Sequence, residues 1–193
     1  YATEQMWEGR SRYDIYTVNL QTGERQQIKK ASNSNMQLSP KGTYAYWYCA
    51  QDSSWYTYSL ANGKEYRLTT PATFTAWDED NDVPDYPSPH GLAGWTADDR
   101  NLLIYDRYDI WKFDPTAEVA PVNLTVNGRK EQLSYRLIRL DKEEKFIDIT
   151  KSQLLQVFNE KTKGSGYYSA HLSAPKAPKV LLAGNFMLKT PVK

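Results

Sequence analysis

A short segment recurs four times along this chain, and its repetition constrains the fold more than any other feature of the sequence. The four copies align without gaps at residues 14–20, 54–60, 109–115 and 166–172. The third position is aromatic in every copy, and we call these four the marker residues: Tyr16, Tyr56, Trp111 and Tyr168. The fifth position holds Val18, Tyr58, Phe113 or Ala170. This alternation predicts one apolar row along one face of a strand.

Turns and further apolar stretches surround each copy. The Asn62-Gly63 pair predicts a two-residue hairpin in which both central residues have a positive φ. Other polar turns at 38–44, 95–102 and 140–146 lead into apolar stretches at 44–48, 102–105 and 146–149. Each unit therefore contains about four strands, and the markers lie about 40 to 57 residues apart. This period predicts an all-β fold, a β-propeller fragment of about four four-stranded antiparallel blades. A β-sandwich with similar strands is the alternative.

The repeat also predicts how the chain is divided. We expect one propeller segment over 1–193, with blades at 1–30, 36–70, 92–126 and 138–184, and an insertion at 70–91. A second insertion, with an extra hairpin at Asn127-Gly128, is expected between residues 126 and 139. Residues 151–161 fit either a short helix or a strand, because the apolar positions there suit both periods.

Composition excludes several function classes. The formal net charge is +1, so no global field attracts nucleic acid. Cys49 is the single cysteine, and we expect a buried thiol rather than a disulfide or a multi-cysteine zinc site. No apolar stretch is long enough to span a membrane. We expect no cofactor, and we expect the chain to be an internal piece of a longer protein.

Several of these stretches resemble a known family. Residues 38–44, 94–100, 105–111 and 159–168 are similar to the propeller of bacterial serine peptidases of the prolyl oligopeptidase and dipeptidyl peptidase IV group. The resemblance implies a propeller placed over an α/β-hydrolase domain that carries the catalytic Ser, Asp and His. It also implies a periplasmic or secreted parent protein. The expected role is a non-catalytic segment that gates or orients peptide substrate for that separate domain.

Other functions remain open on the sequence alone. A TolB-like propeller that acts as a protein–protein interaction module is the main alternative, and a glycan-binding or glycan-cleaving β protein is another. The sequence contains no G-x-S-x-G nucleophile elbow, since Gly164, Ser165 and Gly166 are adjacent. His90 and His171 are the only histidines, and neither belongs to a catalytic motif. We therefore assign no catalytic residue. A fragment with open strand edges also predicts an edge-mediated dimer.

Two clusters of charged residues are candidate sites. Asp78, Asp80 and Asp82 alternate as the first ligands of a calcium loop do. Val83 stands where such a loop needs Gly, and Pro89 stands where it needs Glu, so we assign no metal. Around Arg107, the carboxylates of Asp106 and Asp109 predict a structural ion pair between neighbouring strands.

Overall fold

Antiparallel hairpins form four sheets that follow one another along the chain. A computed structural model describes residues 3, 6, 7, 9, 11–141 and 143–188. The first sheet contains β1 (Tyr13–Val18) and β2 (Arg25–Ser32). The second sheet contains, in chain order, β3 (Gln37–Leu38), β4 (Tyr44–Cys49), β5 (Ser54–Ser59) and β6 (Glu65–Arg67).

The third and fourth sheets repeat the strand order of the second. The third sheet contains β7 (Leu92–Trp95), β8 (Leu102–Tyr105), β9 (Ile110–Phe113) and β10 (Val122–Asn123). The fourth sheet contains β11 (Leu133–Leu137), β12 (Ser152–Asn159), β13 (Ser165–His171) and β14 (Lys179–Gly184). A 3₁₀ turn at Ala97–Asp99 and a short helix, α1 (Gly128–Glu131), lie between strands. No helix in the described ranges is long and apolar enough to cross a membrane.

The marker residues occupy equivalent points of successive sheets. Tyr56, Trp111 and Tyr168 lie on the third strand of their sheets, on β5, β9 and β13. Their partners on the second strands are Trp47, Ile104 and Leu155. Tyr16 lies on β1, which pairs with β2 as the third strand of each larger sheet pairs with its fourth. The first sheet therefore corresponds to the outer half of a blade.

Three separate cores lie between consecutive sheets. The first core joins the first and second sheets and includes Ile28, Ala45, Trp47, Tyr56 and Tyr58. The second core joins the second and third sheets and includes Tyr46, Trp55, Leu68, Trp95, Leu102, Ile104, Trp111 and Phe113. The third core joins the third and fourth sheets and includes Leu103, Tyr105, Ile110, Leu124, Tyr135, Leu155, Tyr168 and Ala170. Each marker from Tyr56 onward thus packs against the preceding sheet.

This arrangement confirms the predicted all-β, propeller-like fragment. On β8, Leu102 and Ile104 enter the second core while Leu103 and Tyr105 enter the third. A strand that is buried on both faces lies in the middle of three stacked layers, whereas a β-sandwich has two layers around one core. The first sheet departs from the expected four strands, because the described residues supply it with two.

Several local predictions differ from the structure. Residues 151–161 contain strand β12, so the strand alternative is the one that forms. Between residues 126 and 139 the chain forms α1 and β11 in place of an extra hairpin, and β11 is the first strand of the fourth sheet. Residues 146–149 form no strand; Ile147 makes an isolated parallel bridge to Thr96. This segment is held by packing, since Phe146 contacts the second core and Ile147 belongs to the third.

The turn at Asn62-Gly63 also differs from its prediction. The backbone amide of Gly63 donates to Ser59 O at 2.9 Å, and the amide of Ser59 donates to Lys64 O at 2.9 Å. The loop is therefore longer than two residues. Gly63 has a φ of 69°, while Asn62 does not have a positive φ. The Asn62 side chain instead accepts a hydrogen bond from the amide of Lys64 at 3.0 Å, which stabilises the turn locally.

Candidate functional site

Loops of successive sheets meet at one end of the molecule, which we call the loop face. In each four-stranded sheet the second strand ends there and the third begins there, which places the turns 50–53, 106–109 and 160–164 side by side. The connections from one sheet to the next reach the same end, at 33–36, 68–91 and 124–132. Connecting loops on a rigid β scaffold are the usual place for binding residues.

The insertion predicted at 70–91 forms an ordered loop on this face. Trp77 and Pro89 form an antiparallel bridge that closes its base. Next to that bridge, the amide of Asp78 donates to Ser88 O at 2.8 Å, and the amide of His90 donates to Ala76 O at 2.9 Å. Residues 78–88, which we call the insertion loop, therefore extend from a fixed neck across the neighbouring turns.

Arg107 holds the insertion loop against the third and fourth sheets. Its guanidinium donates to both carboxylate oxygens of Glu160, at 3.0 and 2.9 Å, and its Nη2 lies 2.8 Å from Asp80 Oδ2. Tyr108 adds a hydrogen bond from its hydroxyl to Glu160 Oε2 at 3.1 Å. Burial opposes ionisation of Glu160, but the bonds from Arg107 and Tyr108 prevail and hold the pKa of Glu160 below its ordinary value.

Arg129, on α1, makes a second link to the insertion loop. Its Nη1 lies 3.4 Å from Glu79 Oε1, and its Nη2 lies 3.5 Å from Asp106 Oδ2. The guanidinium also stands 5.1 Å from the centre of the Tyr108 ring, within cation–π range. Two arginines of the third sheet and its connection thus neutralise two carboxylates of the loop. The remaining acidic residues of the loop, Asp78, Asp82 and Asp85, are exposed.

The three residues of the predicted ion pair lie together but pair with other groups. Residues 106–109 form a tight turn between β8 and β9 rather than part of a strand. Asp106 accepts hydrogen bonds from the amides of Tyr108 and Asp109, and from Trp111 Nε1 at 3.2 Å. Burial is the main cause that raises the pKa of Asp106 above its ordinary value. Its ionic partner is Arg129 rather than Arg107.

Asp109 joins the third sheet to the connection that leads to the fourth. Its side chain is buried and accepts from Thr125 Oγ1 at 2.6 Å, from the amide of Gly128 at 2.9 Å and from the amide of Arg129 at 3.1 Å. A Cβ on Gly128 would lie 2.7 Å from Asp109 Oδ1, so only glycine permits this close approach. Asp109 is therefore a structural residue that fixes the start of α1.

The candidate metal ligands do not converge on a common point. Asp78 Oδ1 accepts from the amide of Asp80 at 3.1 Å, while the Asp80 carboxylate turns to Arg107. The bond from Arg107 is the main cause that lowers the pKa of Asp80. Asp82 is exposed. In the part of the chain that the structure describes, no three His, Cys, Asp or Glu side chains are grouped to hold a metal ion.

Neither histidine is joined to a nucleophile in the described ranges. His90 Nε2 is buried without a hydrogen-bond partner, and burial lowers the pKa of this imidazole. His171 is exposed at the end of β13. Ser165 Oγ donates to Phe186 O at 2.6 Å and is thus engaged by the chain itself. Cys49 is half-buried, and burial raises the pKa of its thiol.

An open cleft of about 660 Å³ lies between the insertion loop and the first two sheets. It is lined by Arg12, Asn33, Gln51, Val83, Pro84, Asp85 and Tyr86. The residue just before β1, the connection between the first two sheets and the turn after β4 therefore meet one side of the loop. The sequence predicted the insertion at 70–91 but did not identify Asn33 or Gln51 as cleft residues. Their place in the repeat is the only sequence feature that points to this face.

Comparisons with known proteins give a weak likeness to a solved structure. No family model and no curated protein matches this chain. Among solved structures, TolB from Acinetobacter baumannii is similar with a TM-score of 0.35 and 14% sequence identity. The match covers 88% of this chain and 40% of the TolB chain, so the chain spans less than half the length of that structure. The propeller-like fold therefore rests on the stacked sheets described above, and the peptidase resemblance has no counterpart in these comparisons.

Proposed function

We propose that this chain is part of a β-propeller that serves as a protein–protein interaction module, with the loop face as its binding surface. The observation that carries the proposal is the cleft, because segments from the first two sheets and the insertion loop converge there around one opening. Binding residues are concentrated on loops that a rigid scaffold positions, and stacked repeat units can present extended binding surfaces.

The chemistry of the cleft suits binding. Val83 is 57% exposed and Tyr86 is 45% exposed, beside the amide side chains of Asn33 and Gln51. Exposed apolar and aromatic groups next to polar side chains are typical of the centres of protein interfaces. In the described part of the chain the histidines lack the serine and carboxylate partners that acyl transfer needs, which also favours binding over catalysis.

The peptidase hypothesis is a narrower form of the same proposal. In that form the partner is an α/β-hydrolase domain of the parent protein, and the loop face helps to guide peptide substrate toward it. A periplasmic or secreted location belongs to this narrower hypothesis. It requires a nucleophile elbow elsewhere in the parent protein, because the 193-residue sequence itself contains none.

Affinity measurements on matched variants test the proposal. A photo-crosslinking residue at position 83 identifies proteins that contact the cleft, and each candidate is then purified and titrated against the chain. We expect Tyr86→Ala with Val83→Ser to weaken binding at least about 30-fold, as loss of an interface hot spot does. Leu20→Ser is the control, because Leu20 is 96% exposed in the turn after β1, at the opposite end of the first sheet.

Two results would contradict the proposal. Equal loss of affinity in the Leu20→Ser control would show that the loop face has no special role. Hydrolysis of peptide amides by the purified chain, abolished by His90→Gln, would show that the chain is itself an enzyme.

A further inference from the structure

The insertion loop crosses the loop face but buries little of itself. Every residue from 78 to 86 is exposed, and Val83 is 57% exposed. Ion pairs from Asp80 and Glu79 tie the loop to the two arginines described above, and exposed ion pairs contribute little to stability. The hydrogen bonds of the neck, where residues 76–78 pair with 88–90, are therefore important for keeping the loop in place.

His90 lies at the junction between this neck and the third sheet. On the loop side, its amide donates to Ala76 O at 2.9 Å. On the sheet side, Gly91 O accepts from the amide of Tyr105 on β8 at 3.1 Å, and Gly91 has a φ of 96°, which favours glycine. The chain can therefore turn near Gly91 and lift the insertion loop while β8 stays in its sheet.

The surroundings of the His90 imidazole favour its neutral form. Its Nε2 is buried and has no hydrogen-bond partner among the described residues. A proton on that nitrogen would be a buried, charged donor without an acceptor, which is unfavourable. Burial, and then the charge of Arg136 on β11, lower the pKa of this imidazole. Three carboxylates act in the opposite sense but are outweighed: Glu79, Asp106 and Asp78.

Arg136 is held in place by contacts with neutral groups. Its Nη2 donates to the backbone carbonyl oxygens of Asp106 and Arg107 at 3.3 and 3.1 Å, and its Nη1 donates to Tyr135 O at 2.8 Å. The guanidinium stands 4.6 Å from the centre of the Tyr105 ring. These contacts leave the positive charge of Arg136 unneutralised. A protonated His90 would add a second positive charge, and opening of the neck would relieve this repulsion by exposing the imidazole to water.

We propose that the insertion loop is an acid-sensitive gate of the cleft, which is closed while His90 is neutral and opens when His90 is protonated. The inference rests on the proposed function, because residues 83–86 of the loop form one wall of the cleft in which a partner binds. Opening removes that wall, so binding weakens as the pH falls below 6.5, the ordinary pKa of histidine. The bond from Arg107 is the main cause that lowers the pKa of Asp80, so that ion pair persists when His90 titrates.

Amide hydrogen exchange, measured by NMR on the 193-residue chain, reports opening of the neck without any partner. The amides of Asp78 and His90 donate across the neck, to Ser88 O and Ala76 O, and are released when the neck opens. At pH 5.5 a solvent-exposed imidazole is protonated about ten times more often than it is neutral. Protection factors of these two amides, corrected for the intrinsic pH dependence of exchange, should therefore fall by up to about tenfold between pH 7.5 and pH 5.5.

The chain contains two histidines, which provides matched variants. His171→Gln, at an exposed position on β13, should keep the full pH dependence of protection. His90→Gln should abolish it. If His90→Gln fails to fold by circular dichroism, NMR titration of the imidazoles in the unmodified chain replaces this variant, and His90 should then titrate with a midpoint below 6.5.

Four results would overturn the proposal. Protection that does not change with pH in the unmodified chain is the first, and a His90 midpoint at or above 6.5 is the second. The third is an equal fall in His90→Gln, which would assign the response to another group such as Asp106, whose pKa burial raises. The fourth is protection at residues 78 and 90 equal to that of the Leu124 amide in the third sheet, which would show that the neck opens only when the chain unfolds.

These measurements are independent of those that test the proposed function, because no partner is present. An acid-sensitive loop together with unchanged partner affinity in the Tyr86→Ala, Val83→Ser variant would contradict the proposed function but leave the gate intact. Partner affinity that depends on the cleft, with protection at the neck that ignores pH, would contradict the gate alone.

Discussion

Two leucines at equivalent positions should differ sharply in their contribution to stability. Leu124 follows β10 and is fully buried in the third core, while Leu182 on β14 is 48% exposed. Both residues lie opposite the residue that precedes a marker, as shown by the 2.8 Å bond from the Leu124 amide to Ile110 O and by the pairing of Leu182 with Tyr167. The comparison therefore holds residue type and strand position constant and varies only burial.

The expected magnitudes follow from the amount of apolar surface that each side chain buries. Leu→Ala removes three carbons, worth about 2.4 kcal/mol at about 0.8 kcal/mol per buried carbon, and a closed cavity adds to this cost. We expect Leu124→Ala to lower the free energy of unfolding by about 3 kcal/mol. For Leu182→Ala we expect about 1 kcal/mol, because roughly half of its surface stays in water and no closed cavity forms.

Urea unfolding followed by tryptophan fluorescence measures both losses, since the chain contains six tryptophans. With a slope of about 2 kcal/mol per molar urea, the two midpoints should differ by about 1 M. Equal losses for the two variants would refute the assignment of Leu124 to an inter-sheet core.

Three further predictions concern buried and paired charges. Asp99→Ala should cost about 3 kcal/mol, because the Asp99 carboxylate is buried and accepts from Ser39 Oγ and from the amides of residues 41 and 43. Asp82→Ala, at an exposed position of the insertion loop, is the control and should cost less than about 0.5 kcal/mol by the same urea assay. The unfolded chain protonates His90 near its ordinary pKa of 6.5, and burial lowers the folded pKa; stability should therefore fall as the pH drops below 6.5, and His90→Gln should flatten that slope in thermal melts. In Arg107→Gln the pKa of Glu160, followed by NMR titration, should rise toward its ordinary value; an unchanged pKa would show that Arg107 does not hold it down.

The order of strands could be predicted from sequence because each repeated segment has its own apolar alternation with period two and its own marker residue. Tyr56, Trp111 and Tyr168 each lie on a third strand, as the aligned segments indicate. The strand at 152–159 was harder to assign from sequence, since Leu154 faces outward while Leu155 enters the third core. A strand with apolar residues on both faces loses the period-two pattern and resembles a helix segment.

The partners of the charged residues were not predictable from local sequence. Arg107 pairs with Glu160, which lies 53 positions away in the equivalent turn of the next sheet. Glu160 begins the turn that follows β12, and the sequence left residues 151–161 open between a helix and a strand. The sequence therefore did not show that Glu160 and Arg107 lie in equivalent turns of neighbouring sheets. Asp80 reaches Arg107 only because the insertion loop folds across the face, and loop folding of this kind depends on tertiary contacts.

Nuclear Overhauser contacts along β8 test the stacked arrangement most directly. In a chain with labelled Ile and Leu methyl groups, Leu102 and Ile104 should contact side chains of the second core such as Trp95, while Leu103 between them should contact Leu155 and other residues of the third core. Contacts that alternate between two separate cores are the predicted result. A solvent-exposed Leu103, with all methyl contacts of β8 confined to one side, would contradict the account and favour a two-layer sandwich.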